Sequence, residues 1–251
     1  MTLDIITHPL LHGTTHGFFG RAGGASSGVF RGLNCGFGSS DQHDIVRINR
    51  ARAAKAMGVE TDHLIGVRQT HSSQAVCVDG PHDDLPRVDG IATATKGLAL
   101  SILTADCQPV LFADHDAGVI GAAHAGWKGA LTGVLEATVD KMESLGARRA
   151  HTVAVIGPTI SQANYEVGPE FRDSFLENDP KFARFFLQGH GDRFQFDLPA
   201  FGLDRLRRIG VQNAAWTRHC TYANAERFYS YRRSVHRKEA DYGRLVATIR
   251  L

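Results

Sequence analysis

Residues 101–129, SILTADCQPVLFADHDAGVIGAAHAGWKG, constrain the fold more than any other stretch of the chain. Two short apolar runs, 109–113 and 119–123, flank the polar tetrapeptide Asp114-His115-Asp116-Ala117. Such a pattern predicts a β-hairpin with a tight turn. A turn centred between His115 and Asp116 pairs residues whose numbers sum to 231, so that Cys107 faces His124. Residues opposed across an antiparallel pair have Cα atoms roughly 4.5–5.5 Å apart, near enough to share one ion. A bulge or longer loop shifts this register but leaves both residues at one end of the hairpin.

Beyond His124 the apolar period changes. Leu131, Val134, Leu135, Thr138, Met142 and Leu145 recur at helical spacing, and Gly146 ends the run. Gly126-Trp127-Lys128-Gly129 therefore falls where a strand gives way to a helix. Unpaired N–H groups at a helix start attract anions, and Lys128 adds a positive charge there. A thiol, an imidazole and an anion-attracting helix start thus converge, which marks a site as well as a core.

The 251 residues contain no Pro/Ser-rich linker, low-complexity tract or internal repeat, so one domain spanning 1–251 is expected. With 28 basic against 26 acidic residues the net charge is +2, too balanced for a nucleic-acid binder. Cys35, Cys77, Cys107 and Cys220 form no C-x-x-C and suit free thiols in a reducing compartment. The N-terminus lacks a basic segment followed by an apolar one, and no apolar run reaches about 18 residues. A cytoplasmic protein without a membrane partner, monomeric or homodimeric, is the expectation.

Elsewhere the pattern predicts helices over 41–57, 169–176 and 199–209, and strands over 64–67, 74–78, 89–93, 98–103, 152–156, 193–197 and 245–249. This alternation suggests an α/β sandwich, with local hairpins making the sheet mixed. His8, His12 and His16 lie four apart, but Pro9, Gly13 and Gly17 argue against the helix that would make them a metal stripe. The Gly-rich loop Arg21-Ala-Gly-Gly-Ala-Ser and the turn Gly32-Leu-Asn34-Cys-Gly fit either a phosphate contact or plain turn chemistry. The aromatic and arginine run Phe228-Tyr229-Ser-Tyr-Arg232-Arg233 fits a base-stacking, phosphate-pairing surface or an aromatic strand with solvated arginines. His71, between two predicted strands, occupies a loop position where ligands commonly sit.

Gln69-Thr-His71-Ser, Thr104-Ala-Asp-Cys107-Gln-Pro, His124-Ala-Gly-Trp-Lys-Gly129, Ile156-Gly-Pro-Thr-Ile160, Tyr165-Glu-Val-Gly168 and residues 228–233 resemble the motifs of the YfiH-like family. That family has also been labelled multicopper polyphenol oxidase, or laccase-domain. The resemblance runs from Arg21 to Arg244, with departures at Phe37-Gly-Ser-Ser-Asp and at Ala240-Asp-Tyr before Gly243-Arg244. It implies a zinc ion held by His71, Cys107 and His124, with copper a possible substitute. It further implies phosphorolysis of adenosine, inosine and methylthioadenosine, deamination of adenosine, and small-molecule partners in purine nucleosides and phosphate. A related bacterial role is the editing of peptidoglycan precursors. Two imidazoles and a thiolate leave a fourth position for water, as at a catalytic zinc.

Nucleoside deaminases with a zinc site carry a Glu two residues after the ligand His, where this chain has Gly126. Asp106 is the candidate acid/base in its place. Lys128, with Arg232 or Arg233, is expected to hold the attacking phosphate. Arg21, Asn34, Gln69, Tyr229 and Arg233 are the candidate substrate-binding residues on the same motifs. None of the 13 histidines lies two positions from another, so the His-x-His pairs of a multicopper oxidase are missing and oxidase activity ranks second. The alternative is a metal-free cysteine hydrolase or deamidase with Cys107 and His124 as a thiolate–imidazolium pair. A dyad needs one histidine, whereas the zinc site needs His71 as well.

Overall fold

A computed structural model of the chain describes residues 2–81, 84 and 86–251. Its centre is the predicted hairpin, strands Gln108–Asp114 and Val119–Ala125, in which every residue is buried. The hairpin occupies the middle of a six-stranded mixed sheet, ordered Asn213–Trp216, Val153–Ile156, Gln108–Asp114, Val119–Ala125, Gly90–Thr93 and Ala75–Cys77. A five-stranded sheet lies against it, ordered Ile5–Ile6, Thr15–Phe19, Leu245–Arg250, Ala99–Thr104 and Leu64–Ile65. A third sheet of three short strands joins Glu166–Val167, Phe194–Phe196 and Phe186–Gln188. Among the described residues the helices are α1 (His43–Met57), α2 (Trp127–Thr132), α3 (Val134–Ser144), α4 (Pro169–Leu176), α5 (Leu198–Arg208) and α6 (Tyr231–Arg237).

Strand alternation divides the apolar side chains among three cores. Leu111, Ala113, Ile120 and Ala122 point from the hairpin toward Leu100, Ile102, Ala247 and Ile249 of the five-stranded sheet. Their sequence neighbours Val110, Phe112, Val119 and Ala123 point the other way, onto Val134, Leu135, Val139 and Met142 of α3 and Phe201 and Leu206 of α5. The outer face of the five-stranded sheet, through Phe19, Leu64, Ala99 and Val246, meets Ala53, Ala54 and Met57 of α1. The order of layers is therefore helix, sheet, sheet, helix: an α/β sandwich with mixed sheets, as the alternation of elements suggested. Because the hairpin is buried on both faces, its residues are mostly apolar, small or internally bonded; Gln108 at its open end is the exception, buried with neither amide atom hydrogen-bonded among the described residues. No helix among the described residues is long and apolar enough to cross a membrane.

Three local expectations change. The hairpin register pairs Pro109 with His124 and Asp114 with Val119, two positions from the expected one. The turn holds four residues, 115–118, because Asp114 Oδ1 accepts the Ala117 N–H and Gly118 takes a left-handed φ of 63°. The single helix expected over 131–145 is split into α2 and α3 at Gly133, whose φ of 108° no helix accommodates. Of the two readings of the 228–233 run, the aromatic strand is set aside, because residues 231–237 form α6, which Ser230 caps by accepting the Arg233 N–H on Oγ.

Candidate metal centre and its cavity

Cys107 precedes the first rung of the hairpin ladder, Gln108 opposite Ala125, and does not face His124 directly. The chain reaches it through Asp106, which takes a left-handed φ of 81°. His71 shows the same departure, with φ 59°, in the loop between Leu64–Ile65 and Ala75–Cys77. Non-glycine residues held in that region concentrate where surrounding structure fixes them for a purpose. The result is a tight cluster: the ligand atoms of His71, Cys107 and His124 all lie within 4.8 Å of one another. His71 Nε2 is 4.0 Å from Cys107 Sγ, and the two imidazoles meet edge to face at 4.7 Å between centroids.

Asp89 organises this cluster. It lies directly before the strand Gly90–Thr93, and Gly90 pairs with Ala123, which brings Asp89 level with His124. The fully buried carboxylate accepts His124 Nδ1 at 2.8 Å. It also accepts the N–H groups of Thr70, His71 and Ser72 and the Ser72 hydroxyl. One side chain thus fixes the His71 loop and the His124 ring together. Burial alone would raise the Asp89 pKa, but the bonds from His124 and Ser72 hold it well below the usual carboxylate range. Burial likewise opposes charge on Cys107 and His124, yet each stabilises the charge of the other. Cys107, further aided by His71, falls to about 7, and His124, bonded also to Asp89, rises to about 9.

These residues suit a metal ion on three grounds. The donors are the nitrogen and sulfur types that zinc and copper take. Asp89 on Nδ1 leaves His124 Nε2 to face Cys107, an outer-shell arrangement common at metal-binding histidines. The space between the donors is also kept clear: a Cβ added to Gly126 would fall 2.9 Å from Cys107 Sγ and 3.1 Å from His71 Cδ2.

His71, Cys107 and His124 line a cavity of about 790 Å³, ample for a nucleoside and an anion. Its other walls include Phe37, Arg50, Arg68, Tyr242 and Arg244. Arg50 lies 5.5 Å from the centroid of Phe37, and Arg244 stacks 3.9 Å from that of Tyr242. Gln69 also lines it, but its amide is bonded twice to the Leu103 backbone, so that it positions the strand edge.

The remaining sequence candidates stand apart. Asp106 directs its carboxylate to Thr221 Oγ1, Ser230 Oγ and the Arg232 N–H, at 2.6, 2.8 and 2.7 Å. Arg233 is buried and donates to the carbonyls of Thr221, Tyr222 and Phe228. Arg232 donates to the Glu166 carbonyl and lies over Tyr165. Lys128 is exposed beside a separate depression with Arg87, Thr70 and Ser72, on which His71 also borders. Arg21 borders another cavity, of about 1070 Å³, that contains none of the three metal donors. Tyr229 is buried and bonds the Phe30 carbonyl, and buried Asn34 bonds Ser39, Asp41, Gly36 and Arg244. Sequence reasoning missed Asp89, Arg50, Phe37, Tyr242 and Arg244 as parts of the site. Phe37 and Tyr242 sit in the two segments that depart from the family pattern; Asp89 had a signal in the Asp-Gly start of a strand beside the hairpin.

Residues 15–251 match the family model described as multi-copper polyphenol oxidoreductase laccase. A Streptomyces coelicolor protein named purine nucleoside phosphorylase is 40% identical over 225 residues, covering 89% of this chain and 91% of that protein. The Escherichia coli purine nucleoside phosphorylase YfiH is 35% identical over 213 residues, 85% of this chain and 86% of its own. In structure, a Neisseria meningitidis protein of the DUF152 family model superposes with a TM-score of 0.88 at 31% identity, covering 100% of this chain and 99% of the other. With the His71–Cys107–His124 cluster set on the same architecture, the chain belongs to the YfiH-like, laccase-domain family.

Proposed function

We propose that this chain is a zinc-dependent purine nucleoside phosphorylase acting on adenosine, inosine and methylthioadenosine, with deamination of adenosine as a second activity. The observation that carries the reading is the His71–Cys107–His124 cluster opening on a cavity that also holds aromatic rings and three arginines. The relatives' names support the purine nucleoside phosphorylase part of this reading. When bound, zinc would supply Lewis acidity at that wall of the cavity and lower the pKa of water toward about 7. His71, Cys107 and His124 would hold it, and Asp89, bonded to His124 Nδ1, fixes the tautomer and ring plane of His124.

The protein's own groups account for the rest of the reaction. Exposed Phe37 offers a ring to a purine, and Tyr242, which Arg244 covers on one side, borders the same space. The arginines bind a phosphate in the cavity and orient it for attack at the sugar. In phosphorolysis a phosphate oxygen bonds C1′ while the C1′–N9 bond breaks and its electron pair goes to the purine. The proton of hydrogen phosphate ends on the base, giving ribose 1-phosphate and free purine. In deamination, water adds its oxygen at C6 and ammonia leaves. Zinc is preferred to copper as the resident metal because a single His/Cys/His set cannot build a multicopper centre.

The alternative reading, a metal-free cysteine nucleophile, is favoured by one observation, the lowered Cys107 pKa of about 7 beside a raised His124. The test is elemental analysis of protein purified without added metal, followed by chromatography of the products from adenosine with phosphate. Close to one zinc per chain, with adenine and ribose 1-phosphate formed, is the expected result. A metal-free protein of undiminished activity overturns it.

A further inference from the structure

Arg50 is a half-buried cation on α1 with no carboxylate partner among the described residues. Among the described residues its guanidinium makes two hydrogen bonds, both long: Nη1 to the Cys35 carbonyl and Nη2 to that of Leu64, each at 3.5 Å. The neighbouring Cys35 thiol is no counter-ion, because burial pushes it up to about 12. The exposed arginines of this chain mostly find a carboxylate: Arg31 with Glu226, Arg47 with Asp44 and Arg148 with Asp116 are examples. Among the described residues, then, this cation forms no ion pair where water screens it less, although Asp84 borders the same cavity, and such an arrangement costs stability unless something else supplies the negative charge. Arg50 lines the cavity that contains His71, Cys107 and His124. Arg244, anchored by Asp241 at 3.0 Å, and exposed Arg68 border the same space.

We infer that Arg50 is the centre of an orthophosphate subsite in this cavity, completed by Arg244, and that Lys128 does not hold the attacking phosphate. A planar guanidinium with its forked donors nearly unspent matches two phosphate oxygens. Phe37 lies 5.5 Å from the guanidinium and, as an uncharged ring, does not compete with an anion for its charge. Lys128 lies outside this cavity, in the depression with Arg87. The inference rests on the phosphorylase reading for the identity of the anion, but its test is an equilibrium one.

Inorganic phosphate is titrated calorimetrically into the full chain at constant ionic strength, with chloride as the balancing anion. The variants are Arg50→Gln, Arg50→Lys and Lys128→Ala, each checked for metal content. Arg50→Gln should weaken phosphate binding on the order of 30-fold or more. Arg50→Lys should bind at an intermediate affinity, because the charge stays and the fork is lost. Without phosphate, Arg50→Gln should melt at or above the temperature of the parent, since an unpaired cation has been removed. A merely structural arginine predicts the reverse: both Arg50 variants melt lower, and phosphate affinity is unchanged in whichever folds. That result overturns the subsite, as does loss of phosphate binding in Lys128→Ala with Arg50→Gln unaffected, or a parent protein that does not bind phosphate. Ribose 1-phosphate formation is scored separately. Its presence with Arg50-independent phosphate binding refutes the subsite and keeps the phosphorylase reading. Its absence with Arg50-dependent binding refutes the reading and keeps the subsite.

Discussion

Cys107 and Asp106 are adjacent in sequence, yet they belong to regions with opposite uses of polar atoms. Around Cys107 the donor atoms of His71, Cys107 and His124 converge on one another and on a cavity. Around Asp106, three hydrogen bonds to the carboxylate and three carbonyls on Arg233 join the turn at Thr221 to the start of α6. Both regions carry charged, motif-like strings. What separates a site from a brace is whether the polar atoms are already spent on the protein itself. Burial raises the Asp106 pKa, and its hydrogen bonds from Thr221, Ser230 and Arg232 offset that only in part.

The widest separation between the two regions should come from removing a metal donor. Cys107→Ser and His71→Ala should each abolish stoichiometric zinc and lower nucleoside turnover by more than about 100-fold, beyond what loss of an outer-shell partner costs. Both should retain a cooperative melt, because these side chains do not fill the core. Alkylation distinguishes the rival cysteine mechanism in the same preparation. Iodoacetamide should label Cys107 slowly until zinc is chelated. Rapid labelling regardless of metal, together with an active His71→Ala protein, would transfer the chain to the cysteine hydrolases.

The brace should fail in the opposite manner. Arg233→Met leaves three carbonyls, two buried and one half-buried, without donors, at about 1 kcal/mol each, so unfolding free energy should fall by about 2–3 kcal/mol. Zinc content and phosphate affinity of the folded fraction should stay at the parent level. Denaturant titration beside elemental analysis reads both at once. A stable Arg233→Met protein with impaired substrate binding would return Arg233 to the site.

Asp89 belongs to both categories, since it is spent on the protein and acts on the metal donors. Asp89→Asn keeps the volume but loses the charge that favours the Nδ1–H tautomer of His124. Zinc affinity should drop about 10- to 100-fold, measured by competition with a chelator of known affinity. Unchanged affinity would leave Asp89 with only the loop to hold.

How far the sequence revealed this depends on distance along the chain. The helix over 169–176 was legible because Pro169 at its first position and helical spacing are local signals, and α4 has those bounds. The hairpin was legible as an element, but its register depended on an Asp114 side-chain bond that no periodicity encodes. His71 and Cys107 were recognisable as motif members, whereas their approach to 4.0 Å depends on two left-handed residues and on Asp89 bonding four groups of the His71 loop. Arg50 gave no signal at all. It is one arginine among several on α1, and only the fold shows that the others reach solvent or the Gly23 carbonyl while this one faces the cavity. Motifs mark chemistry; which of their polar atoms remain unspent is a property of groups brought together from far apart in sequence.

The smallest effect tests the cavity's aromatic side. Phe37 is 42% exposed, so Phe37→Leu should change the melting temperature little. Stacking of an aromatic ring on a purine is worth about 0.5–1.5 kcal/mol beyond area, and its removal predicts a KM for inosine raised by about 2- to 13-fold. The kcat should hold, because the purine is stacked equally in the ground and transition states. Phosphate affinity of Phe37→Leu discriminates further. If Phe37 serves mainly to hold Arg50 across the 5.5 Å between them, phosphate binding weakens and the nucleoside KM is unmoved. If it serves as a purine platform, the two effects are reversed, and the aromatic residue is assigned to the nucleoside and the arginine to the anion.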